Sequence, residues 1–253
     1  MASFSDHFAA SAASYASYRP SYPAALFDWL ASVAPDRRLA WDCGTGSGQA
    51  AVALADYFAQ VVATDPSTAQ LEPARRHPRV RYVAMTAERA ALAGASAGLI
   101  TVAQALHWFD RPAFFAEARR VLVEQGVVAI WSYGLVTLGD ERLDAAIRRF
   151  HGETVGPYWP PERRLVDEGY RAVELPFDLV AAPSFGMRAD WTLAQLAGYL
   201  STWSAVLRAS AETGIDPLPA LIESLRAAWG AAAVRRAEWS LTLKVGRKTS
   251  ESA

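Results

Sequence analysis

The chain has 253 residues, of which 52% are hydrophobic and 20% are charged, and its formal net charge is -1. This composition is that of a globular protein, and it excludes a disordered chain. The near-neutral charge gives no sign of nucleic acid or an anionic membrane as the main partner. No stretch predicts a membrane span, and the N-terminus lacks the basic region of a signal peptide. The single cysteine, Cys43, cannot form an internal disulfide, so we expect a cytoplasmic location. We expect the protein to be a monomer or a homodimer.

The N-terminal segment predicts two helices separated by prolines. Residues 3–17 are rich in alanine and serine and favour a helix that lies over the core. Pro20 and Pro23 end that region and open a second helix from Ala24 to Val33. Arg19 lies between the two predicted helices, directly before Pro20. It has two interpretations: a solvated charge on a packed linker, or a lid residue that meets a ligand carboxylate.

The stretch from Asp42 to Gln49 is the most informative part of the sequence. Apolar residues 39–41 lead into it as a buried parallel strand would, and residues 50–55 predict a helix. Between them, glycines at positions 44, 46 and 48 form a turn whose backbone N–H groups can approach a ligand closely. A dinucleotide fingerprint would require glycine at position 49, which is Gln, so the spacing disfavours a dinucleotide.

A second carboxylate ends the next predicted strand, Gln60–Asp65. Ligands of open α/β sheets lie beyond the carboxyl ends of the strands. Asp65 is therefore placed to accept hydrogen bonds from two ribose hydroxyls. The alternative is an N-cap for the helix that begins at Pro66 and Ser67. Because Asp65 accompanies the glycine turn, we favour ribose binding.

The first half of the chain continues to alternate between strands and helices. A helix is predicted from Asp110 and Pro112 onward, with Gly126 at its C′ position. This alternation calls for a parallel sheet with right-handed crossovers. Further strands are predicted at Val80–Met85, Gly98–Ala103 and Gly126–Trp131.

The second half of the chain predicts a helical cap. Alternating charges and prolines from Ser132 to about Tyr170 indicate a helical insertion, which would form the cap together with residues 189–229. A sixth strand is predicted within Arg171–Ala181, and Thr192 with Gln195 predicts a capping box. Residues 239–245 alternate as an antiparallel last strand does.

The expected fold is therefore α/β: a Rossmann-like, doubly wound, seven-stranded sheet, mostly parallel with the last strand antiparallel, and a helical cap. We divide the chain into residues 1–133 (N-terminal lid helices and cofactor-binding core), 134–235 (helical cap and substrate region with the sixth strand) and 236–253 (final strand and tail).

An ordered set of motifs resembles a known family. The set comprises the glycine turn, Asp65, the loop Thr86-Ala87-Glu88, and the segment from Gln104 to His107-Trp108-Phe109. Together they resemble class I S-adenosylmethionine-dependent methyltransferases, and more narrowly the small-molecule type 11 group with its trans-aconitate methyltransferase-like enzymes. The match by motif covers roughly residues 15–133.

The resemblance implies S-adenosylmethionine as the cofactor, S-adenosylhomocysteine as its product, and a small-molecule acceptor. Asp42 and the glycine backbone would hold the methionine part, and Asp65 the ribose. Ala87 would meet the adenine through its backbone, and Gln104 would line the cofactor near the methyl group. The implied cofactor-binding residues are Arg19, Asp42, Gly44, Thr45, Gly46, Gly48, Asp65, Pro66, Ala87 and Gln104.

The implied reaction is an in-line displacement in which the protein mainly supplies position. A carboxylate acceptor needs no general base, whereas a hydroxyl acceptor would, and His107 is then the candidate. Its alternative role is structural, orienting Trp108 and Phe109. Arg19 could pair with the cofactor carboxylate. No metal is expected, because the other histidines lack partners at metal-ligand spacing.

Aromatic and basic residues of the second half leave two interpretations each. The tryptophans could wall an acceptor pocket or pack the cap onto the sheet. The arginines could anchor an anionic acceptor, but we favour surface pairs with nearby acids. The arginines are Arg148, Arg149, Arg163, Arg164 and Arg188, and the tryptophans are Trp159, Trp191, Trp203, Trp229 and Trp239.

Two further functions stay open. One is a catalytically silent fold that binds the cofactor or a partner, and the other, less favoured, is an NAD-dependent oxidoreductase.

Overall fold

A computed structural model describes residues 18–249 of the chain. The helix predicted over residues 3–17 lies outside them. The strands are β1 (Leu39–Cys43), β2 (Gln60–Asp65), β3 (Val80–Ala84), β4 (Ala97–Ala103), β5 (Leu122–Tyr133), β6 (Asp178–Leu179), β7 (Gly186–Trp191) and β8 (Arg235–Arg247).

The helices alternate with the strands in the first half and cluster in the second. The α-helices are α1 (Ala24–Val33), α2 (Gln49–Leu54), α3 (Thr68–Leu71), α4 (Arg111–Val121), α5 (Glu141–Arg149), α6 (Arg163–Asp167), α7 (Leu193–Ser201), α8 (Ser204–Thr213) and α9 (Leu218–Trp229). Shorter helices of other types span Leu106–Trp108, Phe150–Thr154 and Gly156–Tyr158. No helix within residues 18–249 is long and apolar enough to cross a membrane.

The strands form a sheet in the order β3-β2-β1-β4-β5-β8-β6, and β7 pairs with β8 off this path. Strands β1 to β5 are parallel, and β8 runs antiparallel to β5. The predicted α/β Rossmann-like sheet, mostly parallel with an antiparallel last strand, is confirmed. Because β1 lies between β2 and β4, the strand order reverses beside β1, which is where ligands of doubly wound sheets bind.

The sheet has eight strands rather than the predicted seven. The additional strand is β7, in which Met187 and Trp191 are buried and Arg188 and Asp190 are exposed. This period of two was not recognised, because the two charges interrupt the apolar run.

The strand predicted within Arg171–Ala181 is reduced to Asp178–Leu179. Residues 171–177 form turns and irregular chain instead, and Val173 and Phe177 pack against the sheet. Pro176 in this segment has no N–H to donate to a neighbouring strand.

Gly126 does not follow a helix as predicted. Helix α4 ends at Val121, and β5 starts at the next residue. The left-handed residue here is Gln125, with a φ of 62°. Gly126 is required for space, because a Cβ at this position would lie 2.8 Å from the carbonyl oxygen of Val123.

Three apolar clusters stabilise the fold. Helices α1 and α2 cover one face of the parallel strands, and α4 covers the other. The third cluster joins α5, α7, α8 and α9 to β7 and β8, so the second half of the chain is held together by its own core. Helices α5 and α6, with two short helices between them, lie in the range from Ser132 to Tyr170 where the sequence predicts a helical insertion. The capping box is also confirmed, since the Thr192 side chain and the Gln195 side chain bond each other's backbone N–H.

Candidate functional site

The glycine turn joins β1 to α2 at the carboxyl end of the sheet. Gly44, Gly46 and Gly48 have φ angles of 69°, 52° and 78°, in the left-handed region that glycine adopts without strain. The backbone N–H groups of Gly44 and Thr45 donate to the carbonyl of Thr64, at 2.8 and 2.9 Å. These two bonds fix the turn against the end of β2.

The three glycines differ in the space around them. A Cβ at Gly44 would lie 2.5 Å from the Cβ of Ala105, and one at Gly48 would lie 2.0 Å from the Tyr82 hydroxyl. At Gly46, the nearest atom in the described part of the chain is Oε1 of Gln70, at 3.8 Å. Packing therefore requires glycine at the outer two positions, whereas the backbone of Gly46 faces open space that a ligand can approach.

Asp65 lies beside that open position. Its Oδ2 accepts a hydrogen bond from the N–H of Gly46 at 2.9 Å, and its Oδ1 accepts one from the N–H of Ser67 at 3.0 Å. The N-cap of helix α3 is Ser67, whose hydroxyl accepts from the N–H of Gln70. The Asp65 carboxylate is thus bonded to the glycine turn, with Pro66, half-buried, next to it.

Asp42, on β1, stabilises the glycine turn through buried hydrogen bonds. It is fully buried, and its two oxygens accept from the hydroxyls of Thr45 at 2.6 Å and Thr101 at 2.7 Å. Burial raises the pKa of Asp42 to about 6, and the two hydroxyl donors partly oppose that shift. Asp42 therefore holds the turn in shape and links β1 to β4.

Gln104 marks the end of β4. Its φ is 56°, an uncommon value for a residue other than glycine and one that concentrates at functional sites. Its N–H donates to the Trp131 carbonyl at 2.9 Å, and its side-chain Nε2 donates to the Tyr133 carbonyl at 3.2 Å. Gln104 is thereby fixed to the end of β5.

The loop after β3 approaches the loop after β4. Ala87 is buried in the former, and Glu88 accepts a 3.0 Å hydrogen bond from the N–H of Asp110. Since Asp110 also caps helix α4 by accepting from the N–H of Ala113, this contact positions both loops.

His107 is held by its neighbours. Its Nδ1 lies 2.8 Å from the Tyr170 hydroxyl, and its ring packs on Trp108 with centroids 4.7 Å apart. Burial lowers the pKa of His107 to about 3, and the charge of Arg163 adds to the shift. The imidazole is neutral near pH 7 and weakly basic, which favours a structural role over proton transfer.

Arg19 connects the N-terminal segment to the sheet and the cap. Its Nη1 donates to the Tyr133 hydroxyl at 2.8 Å, and its Nη2 lies 3.5 Å from the Thr202 carbonyl. Its guanidinium also lies 5.4 Å from the centroid of the Tyr199 ring. Of the two interpretations from the sequence, these contacts favour a packed lid residue over a solvated charge.

The structure links the predicted site residues into two groups. One group is the glycine turn with Asp42 and Asp65, and the other is Gln104 with Arg19, which both bond to Tyr133. Sequence reasoning missed Thr101 and Tyr133. A threonine inside the apolar run of β4 was a usable signal, whereas nothing in the sequence around Tyr133 distinguishes it.

Four of the five arginines named from the second half form surface pairs, the interpretation that the sequence favoured. Four of the arginines pair with acids at the surface: Arg148 with Glu141, Arg163 with Asp167, Arg164 with Glu168 and Arg188 with Glu238. Among residues 18–249, no group of three or more histidine, cysteine or acidic side chains is arranged to hold a metal ion.

Comparison with known proteins defines the class. Residues 41–130 match the model of a methyltransferase domain, type 11. A Dictyostelium discoideum protein named as a methyltransferase is 36% identical over 230 residues, which cover 89% of this chain and 87% of the relative. A Mycobacterium tuberculosis protein, named an uncharacterized methyltransferase, is 31% identical over 195 residues that cover 70% of this chain and 76% of the relative.

Solved structures agree. A protein from Anaeromyxobacter dehalogenans, named as a type II methyltransferase, is 44% identical, with a TM-score of 0.84 over 91% of this chain and 98% of that chain. The fold and the glycine turn thus define an S-adenosylmethionine-dependent methyltransferase. The chain belongs to the type 11 family of the class I enzymes.

Proposed function

We propose that this enzyme transfers the methyl group of S-adenosylmethionine to an oxygen atom of a small molecule, either a carboxylate or a hydroxyl oxygen. The observation that carries the proposal is the open backbone at Gly46, with the Asp65 carboxylate 2.9 Å from its N–H. A side chain at Gly46 would fill the space in front of this backbone, whereas glycine leaves it to a ligand.

The residues around the turn fit the cofactor. The backbone from Gly44 to Gly48 would hold the methionine part, with Thr45 and the buried Asp42 fixing its shape. Asp65 would accept hydrogen bonds from the ribose hydroxyls, since a carboxylate has up to about four acceptor positions. Pro66 would border the ribose. S-adenosylmethionine supplies a methyl group on a positively charged sulfur, which needs no further activation.

The remaining contacts extend from the turn toward the cap. Ala87 would meet the adenine through its backbone. Gln104, fixed by its bond to the Tyr133 carbonyl, would border the methyl group. Arg19 would pair with the cofactor carboxylate. Orientation of this kind can lower a barrier by about 7–11 kcal/mol in well-aligned systems.

The two other functions have less support. Gln49 excludes the third glycine of a dinucleotide site, and its side chain is engaged by a 2.8 Å bond to the Pro20 carbonyl. A catalytically silent protein remains the second candidate, because fold alone does not decide activity. A protein named as a [4+2]-cyclase, SpnF, illustrates this, because it shares the fold although its name gives a different reaction. It is 18% identical, with a TM-score of 0.50 over 89% of this chain and 81% of that chain.

Two measurements test the proposal. S-adenosylmethionine and S-adenosylhomocysteine should each raise the melting temperature, because a ligand of the folded state stabilises it, and NAD should not. Labelled methyl groups should then appear on members of a panel of carboxylic acids and phenols. No shift at millimolar S-adenosylmethionine would exclude the proposal, and a shift without transfer to any acceptor would favour the silent protein.

A further inference from the structure

His151 occupies an unusual position among the aromatic rings of the cap. Its Nε2 is buried and has no hydrogen-bond partner among residues 18–249. The nearest acid is Asp167, whose Oδ1 lies 3.8 Å from that nitrogen, beyond hydrogen-bond distance. A buried polar atom without a partner is costly, so it calls for an explanation such as a ligand or a catalytic role.

Two adjacent tryptophans, whose rings lie 5.6 Å from each other, pack against the imidazole. The ring of Trp159 lies 5.0 Å away and that of Trp203 5.5 Å away, the latter perpendicular to the imidazole at 88°. The indole N–H of Trp159 donates to the His151 carbonyl at 3.1 Å. His151 also belongs to a π-helical turn, Phe150–Thr154, a feature that often marks functional sites.

A continuous series of contacts connects this position with the expected reaction centre. Trp203 packs on Tyr199, with centroids 5.9 Å apart, and Arg19 lies over the Tyr199 ring. Arg19 in turn bonds the hydroxyl of Tyr133, and the carbonyl of Tyr133 accepts from Gln104.

Arg163 lies between the aromatic rings around His151 and a second histidine, His107. Arg163 lies over the Trp159 ring, with 4.5 Å to the centroid, and its charge lowers the pKa of both His107 and His151. The second half of the chain therefore contacts His107 directly, through the Tyr170 hydroxyl, and is linked to Gln104 only through Arg19 and Tyr133.

The charges around His151 suit a neutral imidazole. Burial lowers its pKa, the positive charge of Arg163 lowers it further, and the negative charge of Asp167 opposes both. Arg163 and Asp167 bond each other at 2.9 Å. The imidazole is thus uncharged at neutral pH, as a proton acceptor has to be. Unlike His107, it has a carboxylate, Asp167, near enough to stabilise the imidazolium once it forms.

We propose that His151 is the general base of the acceptor site, and that the acceptor is a flat aromatic compound with a hydroxyl group, such as a phenol. This inference rests on the proposed function and specifies its substrate class. A carboxylate acceptor needs no base, so it would leave the buried Nε2 without a role. A phenol supplies the hydrogen-bond donor that Nε2 lacks, and its ring matches the half-buried indole of Trp159.

The proton and electron movements balance. The acceptor oxygen forms its bond to the methyl carbon while the carbon–sulfur bond breaks and leaves its electron pair on sulfur. The hydroxyl proton moves to Nε2 of His151, with the other imidazole proton on Nδ1. The imidazolium, stabilised by Asp167, later releases its proton to water.

Calorimetry with 2-naphthol as the probe tests the site without turnover. The protein loaded with S-adenosylhomocysteine should bind 2-naphthol saturably and bind 2-naphthoate more weakly. His151→Asn should weaken 2-naphthol binding by about fivefold, as expected for one lost hydrogen bond. The matched control is His77→Asn, which lies before β3 and should bind as the wild type does. His151→Gln provides a second variant should His151→Asn not fold.

Labelled methyl transfer to 2-naphthol tests the role of His151 as a base. His151→Asn should lower kcat by about a hundredfold with KM changed far less. Its remaining rate should rise with pH as 2-naphthol itself ionises. A variant with wild-type kcat, or 2-naphthol binding without transfer, would overturn the catalytic role.

The melting temperature with S-adenosylhomocysteine separates the two proposals. If that shift is present and 2-naphthol does not bind, the acceptor site proposed at His151 is wrong, while the proposed function stands. If the shift itself is absent, the proposed function fails first.

Discussion

The hydroxyl of Thr101 on β4 donates a 2.7 Å hydrogen bond to the carboxylate of Asp42 on β1. These strands are neighbours at the point where the strand order reverses. The bond lies inside the sheet, directly below the glycine turn, and it ties the shape of the turn to the register of the two strands. A buried carboxylate held in this way has a measurable pH signature.

Replacing Asp42 by Asn should change how stability depends on pH. The folded protein has a pKa of about 6 at Asp42 against 3.8 for an ordinary aspartate, so between these values it binds a proton that the unfolded chain has released. The contribution of Asp42 to the free energy of unfolding therefore falls as pH rises through this window and is constant above it. Relative to Asp42→Asn, the wild type should lose about 2 kcal/mol between pH 4 and pH 7.

Urea unfolding at four pH values from 4 to 7 measures that difference. The exposed Asp56→Asn serves as the control and should follow the wild type. If the free energies of unfolding of the wild type and Asp42→Asn differ by the same amount at every pH, the pKa of Asp42 is not raised in the folded protein.

Gly46→Ala should separate ligand binding from folding. Gly46 and Gly139 both have left-handed backbones, with φ of 52° and 68°, and a Cβ meets no atom within 4 Å at Gly139 in the described part of the chain. Each replacement by alanine should cost about 1 kcal/mol of stability. Only the methyl group at position 46 enters the space in front of the turn. Calorimetry should show S-adenosylhomocysteine binding at least about tenfold weaker for Gly46→Ala and unchanged for Gly139→Ala; equal affinities would place the ligand elsewhere.

Tyr133→Phe should destabilise the contact between the N-terminal segment and the sheet. The variant removes the hydroxyl that accepts from Arg19, so the half-buried guanidinium loses one partner. The free energy of unfolding should fall by about 1 kcal/mol, measured by urea denaturation. Tyr158→Phe is the control, because that hydroxyl makes no hydrogen bond within residues 18–249. The same loss in both variants would mean that the Arg19 bond contributes nothing specific.

His107→Gln should make the protein less sensitive to acid. The pKa of His107 is lowered from 6.5 to about 3, so below pH 6.5 the unfolded chain binds a proton that the folded protein does not. Stability contributed by the neutral imidazole is complete above pH 6.5 and is lost as pH falls toward 3. Between pH 7 and pH 5, the wild type should lose about 2 kcal/mol more than His107→Gln. Parallel urea curves at both pH values would show that His107 titrates in the folded state near its ordinary pKa.

The elements that could be predicted from the sequence are those with a local pattern. The glycine turn, the strand that ends at Asp65 and the cap of α4 at Asp110 each depend on residues a few positions apart. The partners of Arg19 could not be predicted, because Tyr133 and Thr202 lie 114 and 183 positions away in the chain. Such contacts follow from how the cap packs on the sheet.

The surroundings of His151 could not be predicted from the sequence for the same reason. His151 has neither metal-ligand spacing nor a neighbouring motif, and only the packing of Trp159 and Trp203 around it distinguishes it from a surface histidine. Strand β7 was hidden by its charges, which face outward once the strand pairs with β8.

Strand β8 pairs with the cap along one part of its length and with the parallel sheet along another. Its first part, Arg235 to Ser240, pairs with β7 of the cap, and its second part, Leu241 to Arg247, pairs with β5 of the parallel sheet. A gene shortened after Tyr133 would leave the edge of β5 without a partner, and exposed strand edges promote aggregation. An exchange of caps between relatives therefore also replaces the strand that completes the parallel sheet, and the incoming β8 has to pair with the β5 that is retained.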